Sequence, residues 1–242
     1  MCIRDSVGTL TTRTTLTSVS QTAGMIIQSF DVTCHAADTL VYELKTVFGF
    51  FPAEALQNQV GLPTDDAQRA ALRPNRDPED ILPDAMVPKS GPQLAAGRLL
   101  MLDRLVAFEP SGGTHGLGRA VAEKTVNPAE WFFAAHFFQD PVQPGSLGLE
   151  AILQLLQLFM LKTNMHEGDD GLRFEALRLG EVAKWKYRGQ VVPDNRVITT
   201  DVTITDKGRD ARGPYVVATA SLWIDGKRIY EASPIGMRLV GA

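Results

Sequence analysis

Residues 131–157 read WFFAAHFFQDPVQPGSLGLEAILQLLQ and hold the side chains best suited to chemistry. His136 stands in an apolar, aromatic run. Pro141, Pro144 and Gly145 impose a tight path into the apolar segment that follows. Glu150 falls in the first turn of the helix expected there, and Gln154, four residues on, lies on the same face. Apolar surroundings disfavour the charged forms of imidazole and carboxyl alike, so such a pair offers a neutral base beside a protonated acid. A helix starting near Gly145 presents unpaired backbone N–H groups, and these polarise a carbonyl oxygen. Base, acid and dipole together suit one reaction: removal of a proton α to a thioester carbonyl, with a β-hydroxyl leaving as water. Glycine at 145 admits close approach to its backbone because it has no side chain.

Each feature also has an ordinary structural reading. A lone histidine among aromatics is more often a hydrogen-bonded core residue than a catalyst. A glutamate in a first helical turn is often a favourable partner of the helix dipole. Pro-Gly before a helix often marks only a boundary. Glu150, Gln154 and Gln157 at i, i+4, i+7 suit the wet stripe of an amphipathic helix. That stripe is narrow, however, and has no Lys or Arg, so a buried polar seam fits it better.

The elements that must position these residues follow from the pattern around them. The helix spans about 147–165, apolar around most of its circumference, as a buried helix is. Strands are expected at 25–34, with Ile26, Phe30, Val32 and Cys34 on one side, and at 40–51. The Thr-rich stretch 7–20 favours strand as well. Further strands are expected near 118–124, at 174–188, 197–206, 215–224 and 227–239, with Asp225-Gly226 as a hairpin turn. Residues 63–97 hold six of the fourteen prolines and read as a linker lying across a surface, with a helical turn near 65–72. The first six residues fit no pattern. One buried helix followed by antiparallel strands suggests an α+β fold, a sheet wrapped round that helix.

Composition narrows the classes. The 242 residues are 44% hydrophobic and 21% charged, which excludes wholesale disorder and allows a sizeable core. Lys and Arg number 24 against 28 Asp and Glu, a net charge of −4, which argues against nucleic acid as the main partner. Two cysteines, Cys2 and Cys34, make neither a disulfide framework nor a four-ligand zinc site. The best membrane-span candidate, about 147–165, is interrupted by Glu150, Gln154 and Gln157. With no secretory h-region in view, a reduced, cytoplasmic setting is expected.

HFFQDPVQPGSLGLEA resembles the motif of the bacterial β-hydroxydecanoyl-thioester dehydratase/isomerase and its relatives, the FabA-like β-hydroxyacyl-thioester dehydratases. LLMLDRLVAFEPSGG, VNPAEWFF, LGEVAKWKYRGQVVP and DGKRIYEASPIGMRL look like other segments of that family in the same order, so the resemblance covers about 97–240. The extra glutamines and the SLGLE wording look most like dehydratase domains of polyunsaturated fatty acid synthases. There an active domain follows a degenerate partner of the same fold, and VFGFFPAEALQNQVGLP looks like the tail of such a partner. The resemblance implies a hotdog fold. It divides the chain into 1–62, the C-terminal part of a degenerate hotdog; 63–96, a Pro-rich linker; and 97–242, a dehydratase hotdog.

The resemblance also implies roles. His136 matches the catalytic histidine and Glu150 the catalytic acid. Gly145 matches the glycine whose N–H meets the thioester carbonyl. Phe133, Phe137 and Val142 are expected to wall an acyl channel, and Gln154 to contact substrate. The dehydratase/isomerase has Asp where this chain has Glu150, while related dehydratases without isomerisation have Glu; dehydration is implied and isomerisation gains no support. No metal or organic cofactor is implied. The substrate, a (3R)-hydroxyacyl group, arrives on the phosphopantetheine arm of an acyl carrier protein and leaves as the 2-enoyl thioester. In hotdog dimers the histidine and acid of one site come from different halves, so a homodimer or pseudo-dimer is expected, alongside other domains of a multidomain synthase.

Three other functions are weighed. A hotdog acyl thioesterase needs a carboxylate poised to activate water rather than a His–Glu pair. A hydratase of free coenzyme A esters carries Asp-x-Asn-Pro-x-His, whereas Pro128 stands eight residues before His136. A non-catalytic scaffold hotdog fits the first piece better than the second, where His136 and Glu150 are intact. His115 and His166 are expected at the surface, Asp140 as a turn residue and Cys34 as a small buried apolar side chain. Lys184 and Arg188 suit either an acidic carrier or a sheet edge.

Overall fold

The computed structural model describes residues 8–22, 24–52, 54–55, 59–81, 91–167 and 171–241. The chain divides into two compact units, Met1–Gln59 and Val60–Ala242.

The first unit contains an antiparallel sheet of β1 (Leu10–Thr22), β2 (Met25–Ala36) and β3 (Thr39–Phe50), in that order. Its register puts Leu16 opposite Phe30, Val32 opposite Leu44 and Cys34 opposite Tyr42. Period-two alternation therefore gathers Leu16, Phe30, Val32, Cys34, Leu44 and Phe48 on one face and Arg13, Asp31, Glu43 and Lys45 on the other. Cys34 is half-buried.

The second unit is built on one long helix, α3. Before it come α1 (Asp66–Ala71), β4 (Glu79–Asp80), β5 (Arg104–Glu109), β6 (Arg119–Thr125) and α2 (Trp131–Ala135). α3 itself runs Gly145–Lys162. After it come β7 (Leu172–Phe174), β8 (Trp185–Tyr187), β9 (Val197–Asp210), β10 (Gly213–Ile224) and β11 (Lys227–Gly241). The sheet order is β4-β5-β6-β9-β10-β11-β7, with β8 also paired to β11, and every pairing is antiparallel. The sheet packs round α3, which touches β6, β9, β10 and β11. This is the α+β hotdog arrangement expected of the sequence.

Burial explains why α3 sits there. Ile152, Leu155, Leu156, Leu158, Phe159 and Met160 are fully buried against Val202, Ile204, Ala218, Ala220 and Leu222 of the sheet. Each such side chain contributes about 2 kcal/mol. The same composition makes α3 long and apolar enough to cross a membrane by length and content alone, in spite of its glutamate and glutamines. Its position inside the sheet accounts for that content.

The other sheet face is crossed by residues 60–76. Leu72 packs on Val106, Ala107 and Val121. Leu62 N–H donates to Arg228 O (2.8 Å), and Asn75 Nδ2 donates to Glu109 (2.8 Å). The helical turn expected near 65–72 is α1, held by a reciprocal capping box of Asp65 and Gln68.

The described part of the Pro-rich stretch belongs to the second unit: Ile81 and Leu94 are buried in its core and β4 pairs with β5. Pro83 and Pro88, like the first six residues, lie outside the described residues. The strand expected at 174–188 is instead β7, a looped crossing and β8. Glu175 is drawn inward to Arg212 and Arg238, and Gly180 turns the chain at φ +83°. The crossing stays bound to β11 through Arg178 N–H on Gly236 O (3.1 Å) and Ser233 N–H on Lys184 O (2.9 Å).

Candidate active site

The site begins where α2 ends. His136 is the C-cap of α2, and its N–H donates to Phe132 O at 3.0 Å. Phe132 and Phe133 anchor that turn in the core. The chain then doubles back through Gln139, at φ +57°. Val142 N–H closes the return on Asp140 O (2.9 Å), and Gln143 N–H donates to Val191 O (2.9 Å).

This loop fixes the imidazole. His136 Nδ1 lies 3.0 Å from Val142 O. A carbonyl only accepts, so Nδ1 carries the hydrogen and the lone pair of the neutral ring is on Nε2. Phe137 stacks on the imidazole with centroids 3.8 Å apart and an interplanar angle of 29°. It is 54% exposed, so within the chain it covers the ring face rather than walling an enclosed channel. Val142 is buried; what it contributes to His136 is its carbonyl. Phe133 is a core residue.

The acid-bearing half stands on α3. Pro144 is the N-cap and offers no side-chain hydrogen bond, so the amides of the first turn are not capped by a side chain. Gly145 opens the helix against Trp185 and Tyr187: a Cβ there would stand 3.0 Å from Trp185 Cη2 and 3.3 Å from Tyr187 Cε2. Glu150 is half-buried and accepts at Oε1 from Gln154 Nε2 (2.9 Å).

Gln154, expected to contact substrate, has three hydrogen-bond partners within the chain. Its Nε2 also donates to Leu99 O (2.7 Å), and its Oε1 accepts from Met101 N–H (2.8 Å). With the residue fully buried, its side chain is spent on tying α3 to the entry of β5 and on holding Glu150. Gln157 is buried as well, so the polar face of the helix is a buried seam rather than a wet stripe. Within the chain no hydrogen bond or ion pair joins His136 to Glu150; each is set by its own neighbours.

Several residues escaped the sequence reading. Gln143, between Val142 and Pro144, is 3% exposed, and its Oε1 has no hydrogen-bond partner among the described residues. Trp185, Tyr187 and Tyr230 cluster at the start of α3. Burial, and then the charge of Asp140, push the Tyr187 hydroxyl up to about 12; burial and then Tyr187 raise Tyr230 well above 10. Both phenols therefore stay protonated at neutral pH. The alternation Trp-Lys-Tyr at 185–187 was the available signal, hidden by the assumption of a longer strand. Elsewhere, His115 is exposed as expected, while His166 is half-buried with Nδ1 unpartnered among the described residues. Lys184 and Arg188 are exposed, and Arg188 donates to Tyr187 O (2.8 Å). Among the described residues no group of three or more His, Cys, Asp or Glu is placed to hold a metal ion.

A family model described as the FabA-like domain matches residues 94–233, more than half of the chain. The chain belongs to the FabA-like domain family. The match takes in His136, Gly145 and Glu150 together with β5 to β10. Among solved structures, the FabA-like domain is similar in fold to the dehydratase heterocomplex ApeI:P from Xenorhabdus doucetiae, at 11% identity and a TM-score of 0.44, covering 65% of this chain and 91% of that one. A hypothetical thioesterase with coenzyme A from Streptococcus pneumoniae matches at 14% identity and a TM-score of 0.36, covering 51% of this chain and 79% of that one. Zebra fish thioesterase superfamily member 2 matches at 14% and 0.37, covering 57% and 80%.

Proposed function

We propose that the chain dehydrates 3-hydroxyacyl thioesters presented on an acyl carrier protein, with His136 as base, Glu150 as acid and the N–H of Gly145 as the donor to the thioester carbonyl. The observation that carries this reading is the hydrogen bond from His136 Nδ1 to Val142 O. It leaves Nε2 as a base in a loop that leads directly into the uncapped start of α3.

In this reading Nε2 takes the C2 proton while the Gly145 amide stabilises the charge developing on the carbonyl oxygen. The C3–O bond breaks, and the Glu150 carboxyl delivers its proton to the departing hydroxyl. The C2–H electron pair becomes the new double bond, giving a 2-enoyl thioester and water. The imidazolium then returns its proton to the carboxylate. Because His136 and Glu150 do not touch within one chain, we take each site to use the histidine of one hotdog and the glutamate of another, in a homodimer or pseudo-dimer. The reading needs no metal or organic cofactor and places the work in the cytoplasm.

The three-stranded antiparallel sheet of the first unit supports its assignment as part of a second, degenerate hotdog in a multidomain synthase of the polyunsaturated fatty acid type.

The deciding experiment incubates the full chain with a 3-hydroxyacyl group on a carrier protein and follows the carrier-bound product by mass. Loss of one water is expected. Release of free acid would make the chain a thioesterase, and an unchanged substrate would make it a scaffold; either result overturns the proposal.

A further inference from the structure

The first turn of α3 carries glycines at 145 and 148, and aromatic rings fill the space beside both. A Cβ on Gly145 would lie 3.0 Å from Trp185 Cη2 and 3.3 Å from Trp185 Cζ2; one on Gly148 would lie 2.9 Å from Tyr230 Cζ. The rings hold one another. Trp185 meets Tyr187 edge-on at 5.8 Å and Tyr230 edge-on at 5.4 Å, while Tyr187 and Tyr230 are tilted at 5.0 Å. Their exposures differ. Tyr230 is buried, Tyr187 is half-buried, and Trp185 is 41% exposed. Tyr230 is part of the core and Tyr187 packs against it, while Trp185 meets both from the exposed side. Its indole has the Cζ2–Cη2 edge against the start of the helix, Tyr187 and Tyr230 beside it, and part of its surface exposed.

We infer that Trp185 is a specificity-determining residue: its indole is the side wall of the slot in which a thioester meets the Gly145 amide, and it excludes acyl chains branched at C2. The inference rests on the reaction proposed above. A carbonyl oxygen bound to the Gly145 N–H sits about 2.9 Å from the nitrogen, so the adjoining C2 lies alongside the same first turn. The indole already reaches contact distance of the space beside Gly145. A linear chain, with a methylene at C2, passes this wall, whereas a C2 methyl has to displace the indole. Displacement is resisted on two sides, because the indole meets both Tyr187 and Tyr230 edge-on. A methyl group refused by a fitted slot discriminates by about 10- to 200-fold.

The test compares carrier-bound 3-hydroxyacyl chains with and without a 2-methyl group, using the full chain and its W185V and W185F variants. The wild type is expected to favour the linear chain by at least about tenfold in kcat/KM. W185V is expected to narrow that ratio by about tenfold, mainly through faster turnover of the branched substrate. W185F keeps an aromatic edge and is expected to fall between them; should W185V fail to fold, a shift of the ratio in W185F decides in favour. A ratio unchanged in the folded variants, or both substrates slowing together, overturns the wall and makes the indole purely structural. A wild type that dehydrates the linear chain without discriminating also overturns the wall but keeps the reaction. A wild type that dehydrates neither removes both.

Discussion

The imidazole of His136 is oriented by a single backbone carbonyl, Val142 O, and the carboxyl of Glu150 by a single amide, that of Gln154. His136→Ala is expected to lower the dehydration rate by at least about a thousandfold with an unchanged circular-dichroism spectrum, since its ring lies outside the core. Glu150→Gln is expected to lower kcat by a similar factor and leave KM within about threefold, the split that marks a group acting in the transition state. A change in KM alone would make Glu150 a binding residue. Gln154→Leu strands the buried Met101 N–H, which costs about 2 kcal/mol in a urea titration, and it also frees Glu150, so kcat falls in the same variant. Full activity at reduced stability would confine Gln154 to tying α3 to β5.

At the scale of elements, the outer face of the sheet carries a polar row that one-dimensional patterning does not order. Asp201, Ser221, Glu231 and Lys186 are successive cross-strand neighbours from β9 to β8. Trp223 Nε1 donates to Asp201 (2.6 Å). Burial raises the Asp201 carboxyl to about 6, against the hydrogen bond from Trp223 and the charges of Arg228 and Arg119. The folded state therefore holds this proton more tightly than the unfolded state, whose value is near 3.8. The stabilisation is complete below about pH 4 and is lost as pH rises through about 6, a change of about 3 kcal/mol. Asp201→Asn is expected to be more stable than the wild type at pH 7.5 and to converge with it near pH 4 in paired urea titrations. Parallel curves would mean that Asp201 is ionised at no cost. The hairpin of β10 and β11 behaves as its Asp-Gly turn predicts, with φ +51° at Asp225 and +81° at Gly226. The structure adds that the Asp225 carboxylate accepts from Asn195 Nδ2 (3.0 Å) and Val197 N–H (3.0 Å), which joins the turn to the start of β9.

For the whole molecule, the two units differ in how much they bury. Every residue of β1 is exposed and most of β3 is too, while α3 and its sheet enclose a large apolar core. Units with such different burial open at different free energies. Calorimetry of the full chain is expected to show two transitions, and residues 60–242 alone are expected to keep only the upper one. A single transition in the full chain, at a temperature that shifts when residues 1–59 are removed, would make the chain one cooperative body.

The sequence by itself determined the elements whose signal is local. The apolar circumference of α3, the alternation of β2 and β9, the Asp-Gly hairpin and the Pro-Gly entry to α3 are each set by residues a few positions apart, and each is where the pattern placed it. The sequence also nominates His136, Gly145 and Glu150 as candidates, as residue types at fixed offsets around a turn and a helix start. Tertiary structure decided what those residues touch. Gln154 shares a face with Glu150, which the spacing shows, but its partners Leu99 and Met101 lie more than fifty positions away and no local pattern names them. Trp185 lies in β8, within the stretch where the pattern expects a strand, but its contacts with Gly145 and Tyr230 are forty and forty-five positions away. The break between β7 and β8 depends on Glu175 finding Arg212 and Arg238. Local periodicity is written in neighbouring side chains, whereas hydrogen-bond partners, ring contacts and buried charges arise only once distant segments have been folded together.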